Sequence, residues 1–173
     1  MKRGFTLTEL LVVIFVIGAL TAVVYPVANK VKKSAQGVAC MSKLRNIGIG
    51  LEGYLTENND VMPPLFMGRK TKDEDAAVLE VELLTYLGND EFAFKCPSDH
   101  EHFEKSGSSY FWNENLSNIR RTRLTFMGAD ADSSIIPLVF DKEAYHGDQN
   151  GVNFLYADQS TSSKINFETS SRD

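Results

Sequence analysis

Between Leu10 and Asn29 the chain carries no charged residue. Extending the run back to Phe5 gives 24 residues in which Glu9 is the only charge. A helix rises about 1.5 Å per residue, so this run reaches roughly 36 Å, enough for a hydrocarbon layer of about 30 Å. The run is apolar on all sides rather than along one stripe, as a lipid-facing segment must be. Gly18 and Pro26 would discourage a helix in water, whereas membrane helices tolerate both. Segment 5–28 is therefore read as a transmembrane helix.

Charge is segregated around it. Residues 1–45 hold seven basic side chains and one acid, Glu9, so they carry +6; residues 46–173 carry −11. An acidic remainder argues against a general nucleic-acid binder. The two parts are expected to live in different surroundings. A cleaved secretory signal would need a shorter apolar region and a small-x-small site, and Ala22 has Leu20 two positions before it. A plain signal anchor accounts for the apolar run but not for a carboxylate at its start.

The start of the chain, Met1-Lys2-Arg3-Gly4-Phe5-Thr6-Leu7-Thr8-Glu9, supplies what both readings lack. It resembles the precursors of type IV pilins and type II secretion pseudopilins: a short basic leader ending in Gly, then Phe, then Glu at the fifth mature position. The resemblance implies a leader of residues 1–4, cleavage by prepilin peptidase between Gly4 and Phe5, and N-methylation of Phe5. Glu9, Gly18 and Pro26 fall where the family has its assembly glutamate, a helix-loosening glycine and a helix-bending proline. Independently of any family, a carboxylate within an apolar span costs on the order of 2.5–3.5 kcal/mol and such residues are usually functional. The basic residues Lys30, Lys32 and Lys33 beyond the span leave orientation undecided by charge alone. The resemblance implies N-terminus in and head out.

Downstream, Cys40, Leu44, Ile47, Leu51 and Tyr54 are spaced 4, 3, 4 and 3, one seam on a helix. Gly37, Gly48, Gly50 and Gly53 weaken its propensity, so the helix needs something packed on that seam. One long helix is expected from Thr6 to Glu57, amphipathic over 29–57 and ended by Asn58-Asn59-Asp60 and Pro63-Pro64. Residues 58–173 form the head. Thr71-Lys72-Asp73-Glu74 reads as a capping box opening a helix that Gly88-Asn89 closes. Strands are expected at 91–95, 109–112, 123–127, 135–140, 152–156 and 164–167, the last two as a hairpin. Pro137 places its strand's start there or the strand at a sheet edge. The fold class is α+β: a long N-terminal helix, transmembrane then amphipathic, against a small antiparallel sheet, pilin-like.

The order Cys96-Pro97-Ser98-Asp99, Ser109-Tyr110, residues 136–141, His146 and residues 153–158 also resembles a group of bacterial pseudopilin-like proteins. Their closing Phe-Ala-Asp-Gly-His is replaced here by Tyr156-Ala157-Asp158-Gln159-Ser160.

Candidate chemistry in the head is sparse. Cys40 and Cys96 can pair if the head lies outside the cytoplasm, or remain two thiols. Cys96, His100 and His102 match no usual zinc spacing, and the acids around them suggest a solvated loop. Asp141, Asp148, Asn150 and Asp158 are candidate oxygen ligands for calcium, which similar major pseudopilins bind in a C-terminal loop; a plain loop is the other reading. His146 reads as a turn residue, and Arg120, Arg121 and Arg123 as a surface charge patch. No nucleophile elbow, P-loop or zinc-protease motif is present, so no enzyme is expected. The expected role is a structural subunit of a type II secretion-like pseudopilus or type IV pilus. Its partners are further copies, other pilins and pseudopilins, prepilin peptidase and the assembly machinery of the bacterial inner membrane. The alternative is a membrane-tethered module whose head captures DNA or another surface ligand.

Overall fold

The computed structural model describes residues 7–126, 129–146 and 151–164. The arrangement is α+β and pilin-like: one long helix, α1 (Leu7–Glu57), followed by short helices and a small antiparallel sheet. The chain divides into two units, Met1–Ala35 and Gln36–Asp173.

In the first unit α1 shows its apolar side chains outward, with Leu11, Leu20 and Val24 all more than half exposed. Among the described residues α1 is the one helix long and apolar enough to cross a membrane. So large an apolar surface requires lipid or apolar partners around it.

In the second unit the same helix becomes one-sided. Cys40, Leu44, Ile47, Leu51 and Leu55 are buried, and Tyr54 is half-buried beside them. Each buried leucine or isoleucine contributes roughly 1.5–3 kcal/mol of apolar burial. The helix ends where two consecutive residues turn left-handed, Asn59 (φ 54°) and Asp60 (φ 57°). The Asp60 amide reaches back to the Leu55 carbonyl at 2.9 Å, and the Asn58 side chain donates to the Tyr54 carbonyl. Asn and Asp tolerate this conformation and so terminate helices.

The seam's glycines have a steric reason. A Cβ on Gly48 would collide with the Gln159 side-chain oxygen and lie 3.2 Å from Leu155. On Gly50 it would fall 3.0 Å from two carbons of Leu87. The helix gives up propensity so that the head can approach its backbone. Gly50→Leu is expected to lower head stability by about 2 kcal/mol through overpacking. Adding Leu87→Ala should recover part of the loss in a urea-unfolding cycle, since the two positions share one space.

The expected helix over the late seventies and eighties is short: α2 (Leu79–Glu82), then a 3-10 turn at Thr85–Leu87 closed by Gly88 at φ 67°. The capping-box reading is corrected. Glu74 accepts from the Lys70 amide instead, and the Ala77 carbonyl is taken by the Phe66 amide, which leaves no helix before Leu79. The expected strand at 91–95 is a 3-10 turn, Glu91–Phe94, because the Asp90 side chain accepts from the Phe92 amide. Phe92 is exposed and Phe94 buried, which imitates strand alternation.

After α3 (His102–Ser106) come β1 (Tyr110–Trp112), β2 (Thr125–Phe126), β3 (Ala129–Asp130), β4 (Pro137–Asp141), β5 (Phe154–Tyr156) and β6 (Thr161–Ser162). The main sheet runs β1-β4-β5-β6, all antiparallel, and β2 pairs with β3. Pro137 begins β4, which is central rather than an edge, and the register shifts just after it. The closing hairpin turns earlier than expected. Its return strand is Thr161–Ser162, in the interval between the two expected strands, and 165–167 lie outside the described residues. Trp112, Val139 and Leu155 from the sheet join Leu44, Ile47 and Leu51 of α1 in one core.

Candidate functional site

Gly4 and Phe5 lie outside the described residues. Glu9 lies in the first described turn of α1. Pro26 sits inside the helix, and its missing N–H removes one rung of the hydrogen-bond ladder. Apart from its chain neighbours and the adjacent helix backbone, no described atom lies within 4 Å of where a Gly18 Cβ would stand, so no packing contact among the described residues asks for glycine there.

In the head, Cys40 and Cys96 are joined by a disulfide, with Sγ atoms 2.07 Å apart. It ties α1 to the turn at 96–99. Asp99, on that turn, is buried, and its carboxylate collects four donors. These are the Ser109 hydroxyl at 2.5 Å and the amides of Glu101, His102 and Phe103 at 2.8–2.9 Å. The solvated-loop reading holds for the exposed Glu101 and Glu104 but not for Asp99, which is buried and accepts from the amides leading into α3 (His102–Ser106). His102 faces Glu143 at 2.9 Å instead of turning toward Cys96.

Burial alone would raise the Asp99 carboxyl, but the Ser109 hydroxyl and the three amides outweigh it and hold it below its usual value. Its contribution is therefore complete above the unfolded-state value near ~4 and is lost as pH falls through the folded-state value. Asp99→Asn is expected to cost about 2–3 kcal/mol at neutral pH, because donors aimed at a carboxylate lose it. In urea titrations the gap between the two proteins should close in acid; a constant gap at all pH values would exclude the charge as its source.

His146 lies in a turn, as the sequence suggested, but its packing against distant residues was not foreseen. Its side chain is only 7% exposed. Nε2 lies 3.5 Å from Cys96 Sγ and 3.7 Å from Asp141 Oδ2, and Nδ1 lies 3.4 Å from Ser98 Oγ. Gly37 lies beside the ring, where a Cβ would make an ordinary contact at 3.6 Å. Burial pushes the imidazole below its usual value, which keeps it neutral. Cys96 and Ser98 lie 50 and 48 residues away in sequence, so no local pattern announces those contacts.

Asp141 is pushed up to about 7 by burial, partly offset by the Asn153 backbone and side-chain amides that donate to Oδ2. Of the four candidate calcium ligands, Asp148 and Asn150 lie outside the described residues. Asp141 closes β4 opposite Asn153, while Asp158 follows Tyr156, which pairs with Pro137 at the other end of β4. Four residues of strand separate the two ends by about 13 Å, so Asp141 and Asp158 do not meet on one ion. Asp158 instead accepts from the Ser160 amide and hydroxyl in the hairpin turn.

The arginine cluster is partly committed to the fold. Arg121 meets Glu52 of α1 at 2.6 Å, and Gln159 donates to the other oxygen of Glu52 at 2.7 Å. A cleft of about 280 Å³ beside Arg69 and Glu80 is likewise internally paired, Arg69 Nε meeting Glu80 at 3.0 Å and the Ser106 carbonyl at 2.9 Å.

Among known proteins, the family described as the prokaryotic N-terminal methylation motif matches residues 1–25. That motif is the type IV pilin and pseudopilin signature. No curated protein and no solved structure matches the chain.

Proposed function

We propose that this chain, which carries the signature of type IV pilin-like processing, is a structural subunit of a type II secretion-like pseudopilus or type IV pilus. The observation that carries the reading is the motif at 1–25, whose described residues lie on a helix that is apolar outward and then continues into a packed head. The motif and the apolar helix fit a membrane-anchored single-pass protein, and the motif implies processing by prepilin peptidase and assembly with other pilins.

The domain plan is a leader of residues 1–4, a transmembrane segment at 5–28, its amphipathic continuation at 29–57 and the head at 58–173. The N-terminus starts in the cytoplasm and the head faces outward. Prepilin peptidase cuts after Gly4 and methylates Phe5. Extraction from lipid into a filament exchanges lipid contacts for packing between spans, where Gly18 lets neighbouring helices approach and Pro26 sets the helix path. Glu9 meets the cationic amine of Phe5 on an adjacent copy, fixing axial register as the two charges leave a polar environment together. Intact-mass measurement tests the processing: the mature protein should lack Met1–Gly4 and carry one added methyl group. Unmodified full-length protein from a host with working maturation enzymes would overturn the reading.

A further inference from the structure

We propose that Cys40, Cys96 and His146, before the two sulfurs are oxidised, form a binding site for a thiophilic divalent cation of the zinc class. One ligand atom from each of the three residues lies within 4.8 Å of the others. A tetrahedral zinc ion bound at about 2.3 Å to sulfur and about 2.0 Å to nitrogen sets its ligands roughly 3.5 Å apart. Cys96 Sγ and His146 Nε2 already stand at 3.5 Å.

The remaining features suit the same ion. His146 Nδ1 lies beside Ser98 Oγ, so the ring can donate there and present the Nε2 lone pair inward. Such an outer partner fixes tautomer and ring orientation at metal-bound histidines. On the Nε2 side of the ring, Asp141 Oδ2 lies 3.7 Å away and accepts from the Asn153 amides, while the other oxygen of that carboxylate, Oδ1, is buried with no hydrogen-bond partner among the described residues. The fourth position lies on that side, for a carboxylate oxygen or a water held by it. Both cysteines are wholly buried, so a bound ion would sit away from bulk water.

The chemistry balances without electron transfer. Two S–H bonds break, two metal–sulfur bonds form, and two protons leave to solvent. Forming the disulfide removes the same two protons together with two electrons, which a disulfide-bearing oxidant accepts as its own bond is reduced. Ion and disulfide are therefore alternative cross-links between the helix and the turn at 96–99, and the ion can hold that connection in a newly made chain still in its dithiol state.

The test uses the full chain in detergent micelles, reduced with a phosphine, freed of reductant without oxygen and titrated with Co²⁺, then Zn²⁺. The reduced chain should bind a single equivalent of Co²⁺, with a thiolate-to-cobalt charge-transfer band and the intense visible bands of tetrahedral cobalt, which Zn²⁺ then bleaches. The disulfide form should show neither band. His146→Ala and the bulkier His146→Gln should each weaken binding by at least about tenfold, and Ser98→Ala should weaken it less. Zn²⁺ should also raise the melting temperature of the reduced chain. Each of four results would overturn the proposal: no cobalt bound by the reduced chain, equal binding by the disulfide form, undiminished affinity in both His146 variants, or no thermal gain on adding Zn²⁺.

Discussion

Glu9→Leu is expected to leave membrane insertion intact and to abolish incorporation into filaments. Insertion should improve, since the change removes a carboxylate that costs on the order of 2.5–3.5 kcal/mol in an apolar span. Assembly should fail because the amine of the adjacent Phe5 would enter a packed bundle of apolar helices with no counter-charge. Leaving one charge of a buried pair unpartnered costs about 3–5 kcal/mol, a factor of roughly 150 to 5,000 per contact, and a filament repeats that contact at every subunit. The measurement compares variant and wild type in membrane fractions and in sheared or cross-linked filaments. Normal filament incorporation of the variant would remove Glu9 from the assembly contact. Glu9→Asp should fall between the two, keeping the charge but shortening its reach.

Loss of the disulfide should be nearly as damaging to the head. Cys40 and Cys96 are 56 residues apart. Releasing a loop of that length gives the unfolded chain back about 4 kcal/mol of conformational freedom. For a unit of this size the melting temperature should fall on the order of 10–15 °C in Cys40→Ser or Cys96→Ser, read in chelator-treated buffer. The double variant should lose little more than either single one, since the bond is already gone after the first change. A variant melting within a degree or two of wild type would mean that packing of the seam holds the helix and the turn together unaided.

What the sequence revealed follows the reach of the forces involved. The long helix was legible because its cause is local: an unbroken apolar run, a seam at helical spacing from Cys40 to Leu51, and an Asn-Asn-Asp stop. Strands near 110–112, 137–141 and 154–156 were legible from alternating apolar residues. The misread elements are those where one polar side chain redirects the backbone. Asp90 captures the Phe92 amide and turns an apparent strand into a 3-10 turn. Asp99, in an acidic, histidine-containing stretch, is buried among the amides leading into α3, with a hydroxyl from Ser109 that no window around residue 99 contains. The glycines of α1 were visible as a weakness, but their reason, close approach by Leu87, Leu155 and Gln159, lies in distant parts of the chain. His146 was least legible of all, since its surroundings exist only after the helix, the turn at 96–99 and the end of β4 have come together.

The bond between Cys40 and Cys96 also decides how the molecule bears tension. From the first residue to any position after 96, the shortest covalent route leaves α1 at Cys40 and crosses the two sulfurs. Residues 41–95, including the last turns of α1, hang from that junction as a closed side loop. A pull between the apolar rod and the end of the sheet therefore bypasses them. Stretching can strip strands from the sheet, but it cannot unravel the loop until the sulfurs separate.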